Sequence, residues 1–337
     1  MKDHIIVFTA KEKAEFLEQE LDAELSGDEI LVKDDYDLIS AGTELANYHA
    51  LPNTRPHTKG FPTIVGYSAS GHVVAVGSEA KRFKVGDRVV VNWGKHRGYF
   101  KRSETQVVGV PDGVDMKCAA CTHLASFPML AVRRLRIEIG EAAMVAGLGL
   151  LGQFAVQFAR LAGAYPVLAC DYSPERRALA KRLGADAVFD PRDADFTERV
   201  KAATDGKGPA AVVEVTGFIS ALQQALEYVA ENGRIALLGC TRVSDRYIDF
   251  YKYVHRRGVQ LIGAHTMTRP KLESRPGEWT EHDDYTAFLK LLKAGRIQVA
   301  PIIGEVAPAA DAAAIYRRLG SAENPPLGVL LDWTQVE

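Results

Sequence analysis

Residues 142–159 form an uncharged run of eighteen residues containing Gly147-Leu148-Gly149-Leu150-Leu151-Gly152, and this run constrains the fold more than any other stretch of the chain. Its length alone would suit a bilayer span. The glycines, Gln153 and Gln157 argue against one, and so does a change of period: residues 141–145 are strand-like, whereas 152–162 repeat their apolar positions at helical spacing. The run reads as a buried strand, a tight turn and a helix.

In such a turn Gly147 permits the sharp reversal, Gly149 lets a ligand approach the backbone, and Gly152 lets the helix pack closely. The helix amino terminus at Leu150 and Leu151 presents N–H groups and a positive dipole end. Asp171 comes nineteen residues after Gly152, followed by Tyr172, at the end of the next expected strand. An acid there accepts the ribose hydroxyls of NAD and repels the 2′-phosphate of NADP. These residues predict a dinucleotide site with NAD as cofactor and NADP less favoured. Arg176 and Arg177 lie near the ribose position and carry charge that suits a 2′-phosphate, although arginines on an exposed helix face are commonly just solvated. The competing reading of the glycines is a purely structural turn.

Strands alternate with helices from 126 to 269: strands at 166–170, 210–215, 233–238 and 259–263, helices at 174–183 and 221–229. That alternation predicts a parallel sheet covered by helices on both faces. Residues 1–125 instead show short strand-like runs at 29–33, 63–76, 88–92 and 105–110, separated by Gly and Pro turns, which suggests a β-rich, partly open barrel. Past a polar segment at 268–284, helices at 285–294 and 309–318 and a strand at 328–332 are expected to rejoin the first domain. The expected fold class is α/β, a doubly wound Rossmann sheet (126–269) inserted into a β-rich domain (1–125 and 270–337), with a cleft between them.

Forty-one Lys and Arg against 43 Asp and Glu give a net charge of −2, which supplies no basic field for nucleic acid or a membrane surface. Four cysteines are too few for a disulfide framework and favour a reducing cytoplasm. Cys118 and Cys121 form C-x-x-C with no second pair, so buried thiols are expected rather than a zinc site.

The motifs Ser40-Ala41-Gly42-Thr43-Glu44, Gly66-Tyr67-Ser68 running on to Gly77, Val85-Gly86-Asp87-Arg88-Val89, Gly147 to Gly152, Glu214-Val215-Thr216-Gly217 and Gly233 to Gly239 occur in the order of one family. The chain resembles the medium-chain dehydrogenase/reductase superfamily, on the branch of zinc alcohol, sorbitol and threonine dehydrogenases. The resemblance implies a GroES-like first domain. It also places Thr216, Gly217, Gly239, Cys240, Thr241, His265 and Thr266 around the cofactor.

The departures from the family are informative. Zinc members carry Cys and His where this chain has Ala41 and Tyr67, and the third ligand position falls at His123. The four-cysteine lobe is missing, its stretch shortened around 93–96. One imidazole cannot build a tetrahedral site, so no metal ligands and no catalytic zinc are expected.

Without zinc, hydrogen-bond donors must stabilise the oxygen that gains charge during hydride transfer. By position the resemblance offers three catalytic candidates. Thr43 matches a proton-relaying hydroxyl; the alternative is a turn-stabilising role. Tyr67 brings a phenol, ordinarily protonated at neutral pH, or simply fills the vacated metal site. His123 suits a proton shuttle or is a satisfied core histidine. His96 is expected in a loop lining the cleft.

The expected activity is NAD-dependent hydride transfer on an alcohol, polyol or ketone. The alternatives are a zinc-free quinone or enone reductase and a catalytically silent dinucleotide-binding protein. Pairing through the strand at 259–263 would make a homodimer.

Overall fold

The computed structural model describes residues 1–322 and 325–336. The chain divides into two compact units, Met1–Leu124 with Tyr285–Glu337, and Ala125–Asp284.

In the second unit, the strands Ala143–Ala146, Val167–Cys170 and Ala211–Glu214 are apolar over nearly every residue. Both of their faces are covered, as a parallel sheet flanked by helices requires. The sheet runs in the spatial order Ala187–Phe189, Val167–Cys170, Ala143–Ala146, Ala211–Glu214, Arg234–Leu237, Gln260–Gly263, all parallel. The order reverses beside Ala143–Ala146, the strand that feeds the glycine turn, and ligands of such sheets bind at this switch point.

Met144, Leu168, Val212 and Ile235 are fully buried with Val200 and Leu226 from the flanking helices. Each contributes about 1.5–3 kcal/mol of burial. The apolar run at 142–159 resolves into the strand Ala143–Ala146 and the helix Leu150–Leu161. Among the described residues no helix is long and apolar enough to cross a membrane.

The chain returns to the first unit at Tyr285, later than the expected position near 270. Asp284 explains the later return: its buried carboxylate accepts from Arg133 Nε at 2.9 Å and pairs with the buried guanidinium of Arg269, which also donates to the Ser126 carbonyl. These bonds tie the segment before Tyr285 to the second unit.

The first unit is β-rich. Among the described residues, one sheet runs Ile303–Pro308, Gly328–Asp332, Glu29–Leu38, Ser68–Val76, Arg88–Asn92, Val107–Gly109, with Tyr99–Ser103 paired to Glu29–Leu38. A smaller sheet joins Lys13–Glu20, Lys2–Ala10 and Thr63–Ile64. The single strand expected over 63–76 is thus two strands in different sheets. The break falls at Gly66, whose φ of +98° suits glycine, and a Cβ there would lie 2.4 Å from the His96 ring.

Candidate active site

In the first unit, the antiparallel register pairs Ser68 with Asn92, which sets Tyr67 opposite Trp93, and the Trp93 N–H donates to the Tyr67 carbonyl at 3.1 Å. Ser68 and Ser70 on the same strand donate their hydroxyls to the carbonyls of Ala120 and Met116, at 2.6 and 2.7 Å. Those bonds fix the turn that leads into the helix Thr122–Leu135, and so they fix His123 in its first turn.

The result is an aromatic cluster. The Tyr67 and His123 rings meet edge to face at 5.4 Å, Trp93 and His123 at 4.8 Å, and Tyr67 and Trp93 lie 5.3 Å apart. Tyr285, from the helix Glu281–Lys293, completes it: its hydroxyl is hydrogen-bonded to His123 Nδ1 and accepts from Asn92 Nδ2 at 3.1 Å. His123 and Tyr285 are both buried, whereas Trp93 is 41% exposed. A phenol and an imidazole joined at Nδ1 can pass one proton between them, and Asn92 holds the phenol in place.

Of the three sequence candidates, the structure brings Tyr67 and His123 together. Thr43 lies in the helix Ala41–Tyr48, where its N–H donates to the Ser40 carbonyl at 3.0 Å and its carbonyl accepts from Asn47 at 2.7 Å. The hydroxyl that meets the Tyr67 phenol is that of Ser40. Sequence reasoning missed Ser40, Asn92 and Tyr285. Ser40 stands within a quoted motif, but nothing local distinguishes Asn92 or Tyr285.

His96 lies in a loop, as the resemblance implied, and is fully buried there. Its Nδ1 is 2.7 Å from Asp37 and its Nε2 is 3.0 Å from Glu44. Glu44 also accepts the Ser40 N–H at 3.0 Å, reaching back over the helix start, and takes the Tyr316 hydroxyl. Burial opposes a charged imidazole, but the two carboxylates outweigh it and raise the His96 pKa to about 10. Asp34, buried beside Asp37, is pushed well above the carboxylate range, first by burial and then by its acidic neighbours.

In the second unit, the carboxyl ends of the parallel strands gather the cofactor candidates. Gly147 has φ +96°, and a Cβ on it would lie 2.8 Å from Thr216 Cγ2. Gly217 and Gly239 pack backbone to backbone, since a Cβ on Gly239 would come 2.2 Å from the Gly217 nitrogen, and one on Gly217 would come 2.8 Å from the Cys240 carbonyl. Cys240 is exposed and Thr241 half-buried. Thr216 and Gly217 are bound at their N–H groups by the buried Glu214 carboxylate.

A Cβ on Gly152 would approach the Gly147 carbonyl to 2.0 Å, whereas one on Gly149 would meet nothing within 4 Å. No side chain caps the helix Leu150–Leu161, so Gly149 leaves open space before an uncapped helix start at Leu150 and Leu151. This space suits a pyrophosphate. Asp171 accepts from Leu148 N at 2.8 Å and from Ser173 N at 2.9 Å, which sets its carboxylate beside the turn. Tyr172 is exposed next to it. The Arg176 carbonyl accepts from Gln153 at 3.0 Å, and Arg177 turns to Asp190. His265 directs Nδ1 to the Met267 N–H at 3.2 Å within its own loop, and Thr266 is buried after it.

Of the residues that the resemblance places at zinc-ligand positions, Ala41 has no donor atom and the Tyr67 phenol donates to Ser40, which leaves His123 as a single imidazole, too few donors for zinc. Among the described residues no three His, Cys, Asp or Glu side chains are grouped to hold a metal ion. Cys118 and Cys121 are buried, and burial pushes the Cys118 thiol up to about 11 and Cys121 higher still.

Two family models match the chain: an alcohol dehydrogenase GroES-like domain over residues 37–132 and a zinc-binding dehydrogenase domain over residues 151–281. L-threonine 3-dehydrogenase of Pyrococcus abyssi is 30% identical over 273 residues, 72% of this chain and 74% of the relative. D-guloside 3-dehydrogenase of Escherichia coli K12 is 28% identical over 215 residues, 61% of this chain. The match spans only 59% of that relative's length. A solved structure from Sinorhizobium meliloti 1021, bound to NADP, superposes with a TM-score of 0.83 at 19% identity, covering 98% of this chain and 99% of the other.

Proposed function

Because the chain belongs to the medium-chain dehydrogenase/reductase superfamily, we propose that it is an NAD-dependent oxidoreductase acting on an alcohol or polyol and the matching ketone, without catalytic zinc. The observation that carries the zinc-free part is the pair Ala41 and Tyr67: the first has no donor atom and the second gives its phenol to Ser40, so His123 alone would be left to hold zinc. Relatives named D-guloside 3-dehydrogenase and L-threonine 3-dehydrogenase support an alcohol as the substrate class.

In this reading the second unit holds the dinucleotide through the Gly147–Gly152 turn, with Asp171 on the adenosine ribose. When bound, the nicotinamide supplies or accepts the hydride. The first unit handles the proton. Reduction of a ketone places a hydride on carbon and a proton on oxygen, and the reverse reaction removes both. In reduction the Tyr67 phenol would turn its O–H from Ser40 to that oxygen and give up its proton there, with the His123 imidazole beside it, oriented by Tyr285, as the partner that restores the proton; oxidation runs the same transfers in reverse. Ser40 and Asn92 hold the two phenols.

The strand Gln260–Gly263 lies at the edge of the parallel sheet with Leu261 and Ile262 half-buried, which supports a homodimer formed by pairing two such edges. Light scattering of the purified protein tests the dimer.

Turnover of a polyol and secondary-alcohol panel with NAD, set against a quinone and enone panel with NADH, tests the activity. Oxidation of a polyol supports the proposal. Reduction of enones alone would replace it, and NADH binding without any turnover would indicate a silent binding protein.

A further inference from the structure

The parallel register aligns Cys170 with Phe189, so the residues that follow, Asp171 and Asp190, leave the sheet side by side. The Asp171 N–H donates to the Phe189 carbonyl at 3.3 Å across this step. Two arginines converge here. Arg177 donates from Nη1 to the carbonyls of Asp171 and Tyr172, at 2.6 and 3.0 Å, and to Asp190 Oδ2 at 3.1 Å. Arg192 grips the same carboxylate with both prongs, Nε to Oδ1 at 2.9 Å and Nη2 to Oδ2 at 2.6 Å. Its Nη2 also reaches the Tyr172 carbonyl at 3.2 Å, and its guanidinium lies 5.2 Å from the centre of the Tyr172 ring.

Arg177 therefore sits on the carbonyls of Asp171 and Tyr172 and Arg192 on that of Tyr172, near the place where an arginine accommodates the 2′-phosphate of NADP in sheets of this kind. Both are engaged by Asp190 instead. A two-pronged arginine–carboxylate pair is among the stronger polar contacts, and Asp190 engages one arginine in that way and the second by a single bond. Asp190 and Arg177 are 15% and 18% exposed, so water screens their pair only in part, whereas Arg192 is 63% exposed and is held by the geometry of its two-pronged contact.

We propose that Asp190 is a cofactor-specificity residue: it holds Arg177 and Arg192 in ion pairs, keeps both from a 2′-phosphate, and so favours NAD over NADP. Asp190 is a positioning residue, since it acts through the two arginines. The proposal rests on the dinucleotide reading of the glycine turn. With Asp190 charged, the two acids and two arginines at this corner sum to zero; neutralising it leaves one net positive charge beside the ribose.

Fluorescence titration of the full-length protein with NADH and NADPH at low ionic strength tests this. Asp190→Asn should raise the ratio of NADPH to NADH affinity at least tenfold, Asp190→Glu should keep the wild-type ratio, and adding Arg177→Ala to Asp190→Asn should reverse most of the gain. A ratio in Asp190→Asn within twofold of wild type, with NADH still bound, would overturn the proposal. If Asp190→Asn fails to fold, Asp190→Ser tested in the same way decides: a tenfold rise in the ratio supports the proposal, and a ratio within twofold of wild type with NADH still bound overturns it. Wild-type protein that binds neither dinucleotide would remove the cofactor reading itself, and this proposal with it.

Discussion

The Tyr285 hydroxyl is hydrogen-bonded to Nδ1 of His123, across 162 residues of sequence, and both side chains are buried. The bond gives the imidazole a fixed orientation and a partner for its proton. Under the proposed activity Tyr285→Phe should lower kcat by about 100-fold with a smaller change in KM. Steady-state kinetics across pH check this, because loss of a shared proton changes the pH profile as well as the rate. Near-normal kcat in Tyr285→Phe, His123→Asn and Tyr67→Phe together would remove the proton chemistry assigned to the cluster.

The glycines of the turn separate folding from binding. Gly149 has φ −65°, which alanine adopts without strain, and open space where a Cβ would go. Gly149→Ala should keep the wild-type Tm and weaken NADH binding at least tenfold, because the methyl enters the ligand's space. Gly152→Ala, with a backbone carbonyl 2.0 Å from its new Cβ, should lose stability as well. Thermal melts paired with NADH titrations distinguish the two. Equal NADH affinity in Gly149→Ala and wild type would deny that a ligand approaches the turn.

His96 makes stability depend on alkaline pH. Its folded pKa of about 10 lies above the ordinary 6.5, so the folded chain holds a proton that the unfolded chain has released. The stabilisation is complete below about pH 6.5 and is lost as the pH rises through about 10. Melting temperature should fall over that window. His96→Leu should flatten the slope and cost about 3–5 kcal/mol at neutral pH, because Asp37 and Glu44 lose the cation between them. A wild-type Tm that is constant from pH 7 to 10 would contradict the buried imidazolium.

The parts of the molecule that were legible in the sequence are those specified by local spacing. The strand–turn–helix around Gly147, the placement of Asp171 and the alternation of strands and helices follow from periodicity and from what glycine alone permits. The first unit was less legible because its site is assembled by register and long-range contact. Nothing near residue 285 announces a tyrosine that reaches His123, and Asn92 meets it across 193 residues. Thr43 was named from its place in the motif, and Ser40, three residues earlier, is the residue whose hydroxyl meets the Tyr67 phenol. His96 lies in a loop, as the resemblance implied, but its burial depends on Asp37 and Glu44 from two other elements and had no local signal. The split of 63–76 into two strands likewise depends on His96 packing against Gly66.

Under the proposed function, donors from Tyr67, His123 and Tyr285 stabilise the substrate oxygen in place of a metal. The zinc content of the purified protein, measured together with its turnover before and after exhaustive chelation, decides the matter. Far less than one zinc per chain is expected, with unchanged polyol oxidation with NAD after chelation. One tightly held zinc per chain, with activity lost on its removal and restored by its return, would contradict the metal-free reading.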